Sequence, residues 1–134
     1  MNITLQHIYD RIFNACNGFE KFVEELNKIN YFPVADYDTG NNMMATLKKS
    51  LTQSNNNLNE LSKALILNSV GNSGIILAQI LAGFITSSIE TNGFRCNKDI
   101  IRAFNKAKEM AYNAVLKPKE GTMLTFIRDR KSVV

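Results

Sequence analysis

Asp36 and Asp38 stand two positions apart in the segment Ala35-Asp36-Tyr37-Asp38-Thr39-Gly40-Asn41-Asn42. Two carboxylates so spaced in a turn can face one ion. Hard oxygen donors of this kind suit Mg²⁺, which takes one or two carboxylates and keeps places for water and phosphate. Gly40 permits a tight turn, and helix resumes at Asn41 or Asn42, so that the N–H groups of its first turn can meet an anion. The same residues also read as an Asx-turn whose carboxylates cap the following helix. A second segment, Gly71-Asn72-Ser73-Gly74, lies directly ahead of an apolar helix. Two glycines allow close backbone approach to a ligand, Ser73 offers a hydroxyl, and the helix start offers N–H donors and a positive dipole end. It reads equally as a plain helix start with a glycine for close packing. No Walker lysine follows it and no GxGxxG follows a strand, so neither common phosphate loop is present. Together the two segments would make a Mg²⁺–nucleotide site built on two helix starts.

The elements that would position such a site are helical. Ile8, Ile12 and Phe13 share one face of a first helix, and Phe19, Phe22, Val23, Leu26 and Ile29 continue at a period of 3.6 rather than 2. Pro33 disfavours helix at Phe32 and breaks the pattern. A helix through Met43, Met44 and Leu47 gives way to a polar loop at 53–57. Asn57 followed by Glu60 suggests a capping box ahead of Leu58, Leu61 and Leu65. The segment from Ile75 to Ile89 is apolar nearly all round, which predicts a buried central helix. Asn97 caps a helix with Ile100, Phe104, Ala107, Ala111 and Ala114 inward, and a last helix starts near Thr122. The fold class expected is all-α, with about six or seven helices.

A chain of 134 residues is read as one domain, long enough to bury a core without disulfide or metal staples. It has 45% hydrophobic and 21% charged residues, an ordinary globular balance that excludes general disorder. The sequence has no run of 18 apolar residues and no secretory leader pattern, so neither a membrane span nor export is expected. Cys16 and Cys96 lack CxxC spacing and read as reduced thiols of a cytoplasmic protein. The single His7 excludes sites needing several imidazoles, and it is expected to be an ordinary, partly buried histidine. Net charge is +4, but the stretch from Arg95 to Val134 carries +6 and the remainder −2. Lys98, Arg102 and Lys106 recur every four residues, as a solvated helix stripe does. No aromatic interleaving or base-reading motif accompanies them, so nucleic acid is not an expected partner.

Three segments carry a family resemblance. Asn27 to Met43 (NKINYFPVADYDTGNNM) resembles the pattern LNxLNVFPVPDGDTGTNM. Gly71 to Ile80 (GNSGIILAQI) resembles GNSGVILSQI, and Ala111 to Arg128 (AYNAVLKPKEGTMLTFIR) is similar to AYxAVxxPxEGTILTVIR. These are motifs of the DhaL-type domain, the nucleotide-binding part of dihydroxyacetone kinases, in the variant of the N-terminal domain of bacterial fatty acid kinase. The resemblance implies an antiparallel barrel of eight amphipathic helices holding Mg²⁺ with ATP or ADP at one end. Residues 1–134 would form a single domain of this type lacking its last helices, and the apolar seam so exposed would invite a second copy. Asp36 and Asp38 match the metal carboxylates, and Asn30 falls near a third metal position if one residue is inserted. Thr39, Gly40, Asn41 and Asn42 match the turn beside the phosphates, as do Gly71, Asn72, Ser73 and Gly74 in the second loop. Thr122 and Met123 match the segment against the adenine.

The activity implied is transfer of the γ-phosphoryl group of ATP to a carrier-bound fatty acid, forming an acyl phosphate. The acceptor would be presented by a separate fatty-acid-binding subunit or, in a dihydroxyacetone (glycerone) kinase, by a dihydroxyacetone-binding subunit. This chain would then need no general base of its own. The departures are Tyr37 for a glycine, Asn41 for a threonine, and Asn68-Ser69-Val70 for Gly-Ala-Arg. With the absent last helices they point to the competing expectation of a non-catalytic remnant. A basic helical binding module is the third expectation and rests on the C-terminal charge alone.

Overall fold

The computed structural model describes residues 1–29 and 38–116. Helix α1 spans Leu5–Phe19, and a 3₁₀ turn at Glu20–Phe22 leads into α2, Val23–Ile29. Then follow α3 (Thr39–Gln53), α4 (Leu58–Asn68), α5 (Gly71–Glu90) and α6 (Asn97–Leu116). The fold is all-α, as the helical periodicity predicts. Among the described residues the one extended pairing is an isolated antiparallel bridge of Ile3 with Phe94, whose N–H groups each reach the other's carbonyl at 2.8 Å. The last helix expected near Thr122 lies outside the described residues.

Helix α5 is the central element, packed against α3, α4 and α6. Among the described residues it is the one helix long and apolar enough to cross a membrane by length and composition, with mean hydropathy 1.4. Its packing shows what its apolar sides serve here: Ala78, Ala82 and Ile85 are buried against neighbouring helices. Leu61 and Leu65 of α4 and Leu47 of α3 complete the core beside it. Small residues set the α5–α6 approach. A Cβ on Gly83 would stand 2.7 Å from Met110 Cγ and 3.0 Å from the Lys106 carbonyl oxygen, and Ala103 and Ala107 are buried on α6.

That close approach corrects one expectation. Phe104 does not point inward; it is 62% exposed, its ring meeting Phe84 edge-on at 5.3 Å. The seam along Gly83 has room for alanine and none for an aromatic ring. In α1 the inward face is Ile8, Tyr9 and Cys16, while Phe13 is exposed. Phe22 of the 3₁₀ turn and Ile29 at the end of α2 are also exposed, while Val23 and Leu26 are half-buried. His7 is exposed rather than partly buried. It belongs to a capping box, in which Thr4 Oγ1 accepts the His7 N–H at 3.1 Å and His7 Nδ1 accepts the Thr4 N–H at 3.4 Å. Both cysteines are free: Cys16 is buried and Cys96 exposed. Burial pushes the Cys16 thiol up to about 11.

Candidate functional site

Helix α3 starts at Thr39, two or three residues earlier than the expected Asn41 or Asn42. Its N-cap is Asp38, yet no cap hydrogen bond comes from that carboxylate. The cap comes from another helix. Asn27 Oδ1 on α2 accepts the Gly40 N–H at 2.8 Å and the Asn41 N–H at 3.2 Å. Asn27 Nδ2 donates to Asn41 Oδ1 at 3.1 Å, closing a three-bond clasp. The earlier start follows: two amides that would otherwise lack a partner at a helix end have one, so the helix extends toward Asp38.

Gly40 serves a purpose other than the expected tight turn. It sits within α3 and is buried, and a Cβ there would run into the backbone carbonyl of Val23. Glycine is needed because α2 and α3 cross backbone to backbone at this point. The absence of a side chain brings Asn27 within reach of the α3 amides.

Helix α5 starts at Gly71, so the four residues Gly71 to Gly74 form its first turn and not a loop ahead of Ile75. Its N-cap is Val70, whose side chain makes no cap hydrogen bond, and among the described residues no other side chain caps it. Gly71 has φ +68°, a conformation that glycine adopts without Cβ strain, and the Asn42 side chain occupies the space a Cβ would need. Gly74 lets α5 approach α3, since a Cβ would collide with Thr46 Oγ1 and lie 3.3 Å from the Asn42 carbonyl oxygen.

Thr46, fully buried, joins the two starts. It accepts the Val70 N–H at 3.0 Å and donates to the Asn42 carbonyl at 2.8 Å. Ser73 Oγ donates to the Thr39 carbonyl at 3.2 Å. The fold therefore brings Thr39, Gly40, Asn41 and Asn42 of one motif against Gly71, Asn72, Ser73 and Gly74 of the other. Asp38 lies at the rim of this junction, half-buried. Asn30, Asp36, Tyr37, Thr122 and Met123 lie outside the described residues.

The donor sets of the two starts differ. At α5 the first-turn amides have no side-chain cap, an arrangement that receives phosphate oxygens. At α3 two amides are already bonded to Asn27, and the chemical group at the start is the Asp38 carboxylate. Among the described residues no group of three His, Cys, Asp or Glu could hold a metal ion. Asp38 fits as one of the one or two carboxylates that Mg²⁺ takes from a protein.

Asn27 and Thr46 carried no expectation from the sequence. Asn27 stands inside the first quoted motif, thirteen residues ahead of the amide it caps. Thr46 lies four residues after Asn42, the spacing at which a threonine hydroxyl bonds back to a helix carbonyl.

A family model described as the DAK2 domain matches residues 33–132. An uncharacterized protein of Mycoplasma genitalium is 38% identical over 95% of this chain and 25% of its own length. Its homologue in Mycoplasma pneumoniae is 36% identical over 94% of this chain, again 25% of its own length. An uncharacterized protein of Staphylococcus aureus is 34% identical over 90% of this chain and 23% of its own length. The chain thus spans about a quarter of the length of these curated relatives.

Proposed function

Because the chain belongs to the DAK2 domain family, the nucleotide-binding domain family of the dihydroxyacetone kinases, we propose that it holds the Mg²⁺–nucleotide of a phosphotransferase whose acceptor is a carrier-bound fatty acid. The observation that supports this most is the junction of two helix starts. One offers amides without a side-chain cap and the other a carboxylate, and a 3.2 Å hydrogen bond from Ser73 Oγ to the Thr39 carbonyl joins the two starts.

In this reading the first-turn amides of Gly71, Asn72 and Ser73 receive phosphate oxygens, while the Ser73 hydroxyl, donated to the Thr39 carbonyl, ties that turn to α3. Fixed donors aimed at a phosphoryl group stabilise the charge that develops there without reorganising. Asp38, with Asp36 and Asn30, would hold Mg²⁺, and the cation would supply neutralisation of the phosphate charge. Asn42 packs on Gly71 and keeps the backbone approachable from the ligand side. Thr122 and Met123 match the family segment that would lie against the base. Phosphoryl transfer needs mainly positioning and electrostatic stabilisation from such a domain. The acceptor arrives on a separate substrate-binding protein, a fatty-acid-binding subunit in preference to a dihydroxyacetone-binding one. The motif Tyr31-Phe32-Pro33-Val34 and the Asn72-Ser73-Gly74 turn favour that choice. The domain is read as cytoplasmic, spanning residues 1–134.

Thermal unfolding of this chain with and without Mg-ADP tests the reading. The controls are ADP with chelator and an Asp36→Ala, Asp38→Ala double variant. Ligand at a hundred times its dissociation constant adds about 2.7 kcal/mol of stability. A rise in midpoint that needs both the cation and the aspartates is expected. A cooperative transition indifferent to Mg-ADP would sink the kinase reading in favour of a non-catalytic remnant. Phosphoryl transfer to carrier-bound fatty acid, set against free dihydroxyacetone, identifies the acceptor.

A further inference from the structure

We infer that Asn27 is a positioning residue for the nucleotide site: its clasp on α3 withdraws the Gly40 and Asn41 amides from ligand binding, leaving α3 to the cation and α5 to the phosphate. This deepens the nucleotide reading above and rests on it.

The physical case begins with charge. A helix start carries partial positive charge on its unpaired N–H groups, equivalent in total to about half an elementary charge. It favours an anion and opposes a cation, so Asp38 at the cap of α3 is a poor place for Mg²⁺ while those amides are open. Asn27 turns the negative end of its amide dipole onto two of them, at 2.8 and 3.2 Å. That removes the N–H groups that would compete for a phosphate oxygen and lowers the local positive potential beside Asp38.

The clasp also fixes direction. The Asp38 carbonyl accepts the Asn42 N–H at 2.9 Å, closing the first turn of α3. Holding Gly40 and Asn41 within that turn therefore fixes the backbone from which the Asp38 carboxylate projects. The third bond, Asn27 Nδ2 to Asn41 Oδ1, orients the Asn27 amide with its oxygen toward the backbone. Among the described residues no comparable clasp is present on α5, whose cap residue Val70 makes no side-chain cap hydrogen bond. One end of the molecule thus presents two helix starts prepared for opposite charges.

Amide hydrogen exchange and Mg-ADP affinity, both measured on this chain, test the inference. In the wild type the Gly40 and Asn41 amides are protected before ligand is added. Titration with metal-free ADP shifts the resonances of Gly71, Asn72 and Ser73 and leaves those two in place. Asn27→Ala speeds exchange at Gly40 and Asn41 by tenfold or more relative to Leu47 and weakens Mg-ADP about tenfold. Asn27→Asp keeps an oxygen acceptor, so it retains protection at both amides and most of the affinity. That conservative variant decides the matter should Asn27→Ala fail to fold. Unchanged protection in Asn27→Ala overturns the clasp. Lost protection with unchanged Mg-ADP affinity overturns the positioning role, as does lost affinity in an Asn27→Asp variant whose amides stay protected. A wild-type chain that is protected at both amides yet ignores Mg-ADP refutes the nucleotide reading, and the positioning role with it, while leaving the clasp as an anchor of α3.

Discussion

Helices α4 and α5 follow one another in the chain, pack side by side, and begin in different ways. Helix α4 has Asn57 as its N-cap, and Asn57 Oδ1 accepts the Glu60 N–H at 3.0 Å. Helix α5 has Val70, a side chain with no acceptor, and its start bears no side-chain cap. Helix α1 resembles α4, with a full Thr4–His7 box. An N-cap side chain is worth about 1 kcal/mol, and asparagine, aspartate or serine at position 70 would supply one. Helix α5 forgoes that stabilisation at the end where Asp38 and the α3 start also gather. A helix start whose only function is to begin a helix is finished by its own sequence. On the proposed function, the start of α5 leaves its amides open for an anion.

The largest test of this contrast is Gly40→Ala. A methyl group there collides with the Val23 backbone, so α2 and α3 must part and the Asn27 clasp must open. Overpacking of this kind destabilises by about 3 kcal/mol. Chemical denaturation is expected to show that loss together with loss of the Mg-ADP response, and a near-neutral result would mean the helices do not cross so closely. Asn57→Ala is expected to destabilise by about 1 kcal/mol. Its ligand-induced shift in midpoint should equal that of the wild type, because the α4 cap plays no part in binding.

Val70→Asp should do the reverse. It gives α5 the cap that α4 already has, raising the stability of the free protein by about 0.5–1 kcal/mol. The same carboxylate then occupies the amides and repels phosphate, so calorimetric titration should show Mg-ADP binding weakened. A variant more stable and equally avid would break the comparison between the two helix starts.

The last effect concerns the core and serves as a control distant from the site. The folded state holds the Cys16 proton more tightly than the unfolded chain, with the thiol pushed up from 9.0 to about 11. Its contribution is therefore fully present below pH 9 and fades as pH rises toward 11. Denaturant midpoints measured across that range should fall less steeply in Cys16→Ala than in the wild type.

Much of this was legible in the residues. The 3.6-residue periodicity announced helices, Asn57 announced the start of α4, and the two glycine-containing motifs announced two helix starts that the fold brings together. Other features escaped. Phe104 fits an inward pattern by spacing alone, but at Gly83 the α5–α6 seam is already closed by Met110 and the Lys106 carbonyl, and Phe104 stays exposed. Asn27 was visible as a motif residue without a role, because its partners lie thirteen and fourteen positions away on another helix.

The sequence by itself determined which segments are helical and which residue types can meet phosphate or a cation. Periodicity, end caps and side-chain chemistry act within one or two turns of chain, so they are written locally. Only the tertiary structure decided that α3 begins at Thr39, that Gly40 is required by the Val23 backbone, and that Thr46 ties the start of α5 to α3. Those outcomes depend on hydrogen bonds and steric limits between helices, which exist only once the apolar faces have packed and brought distant segments into contact.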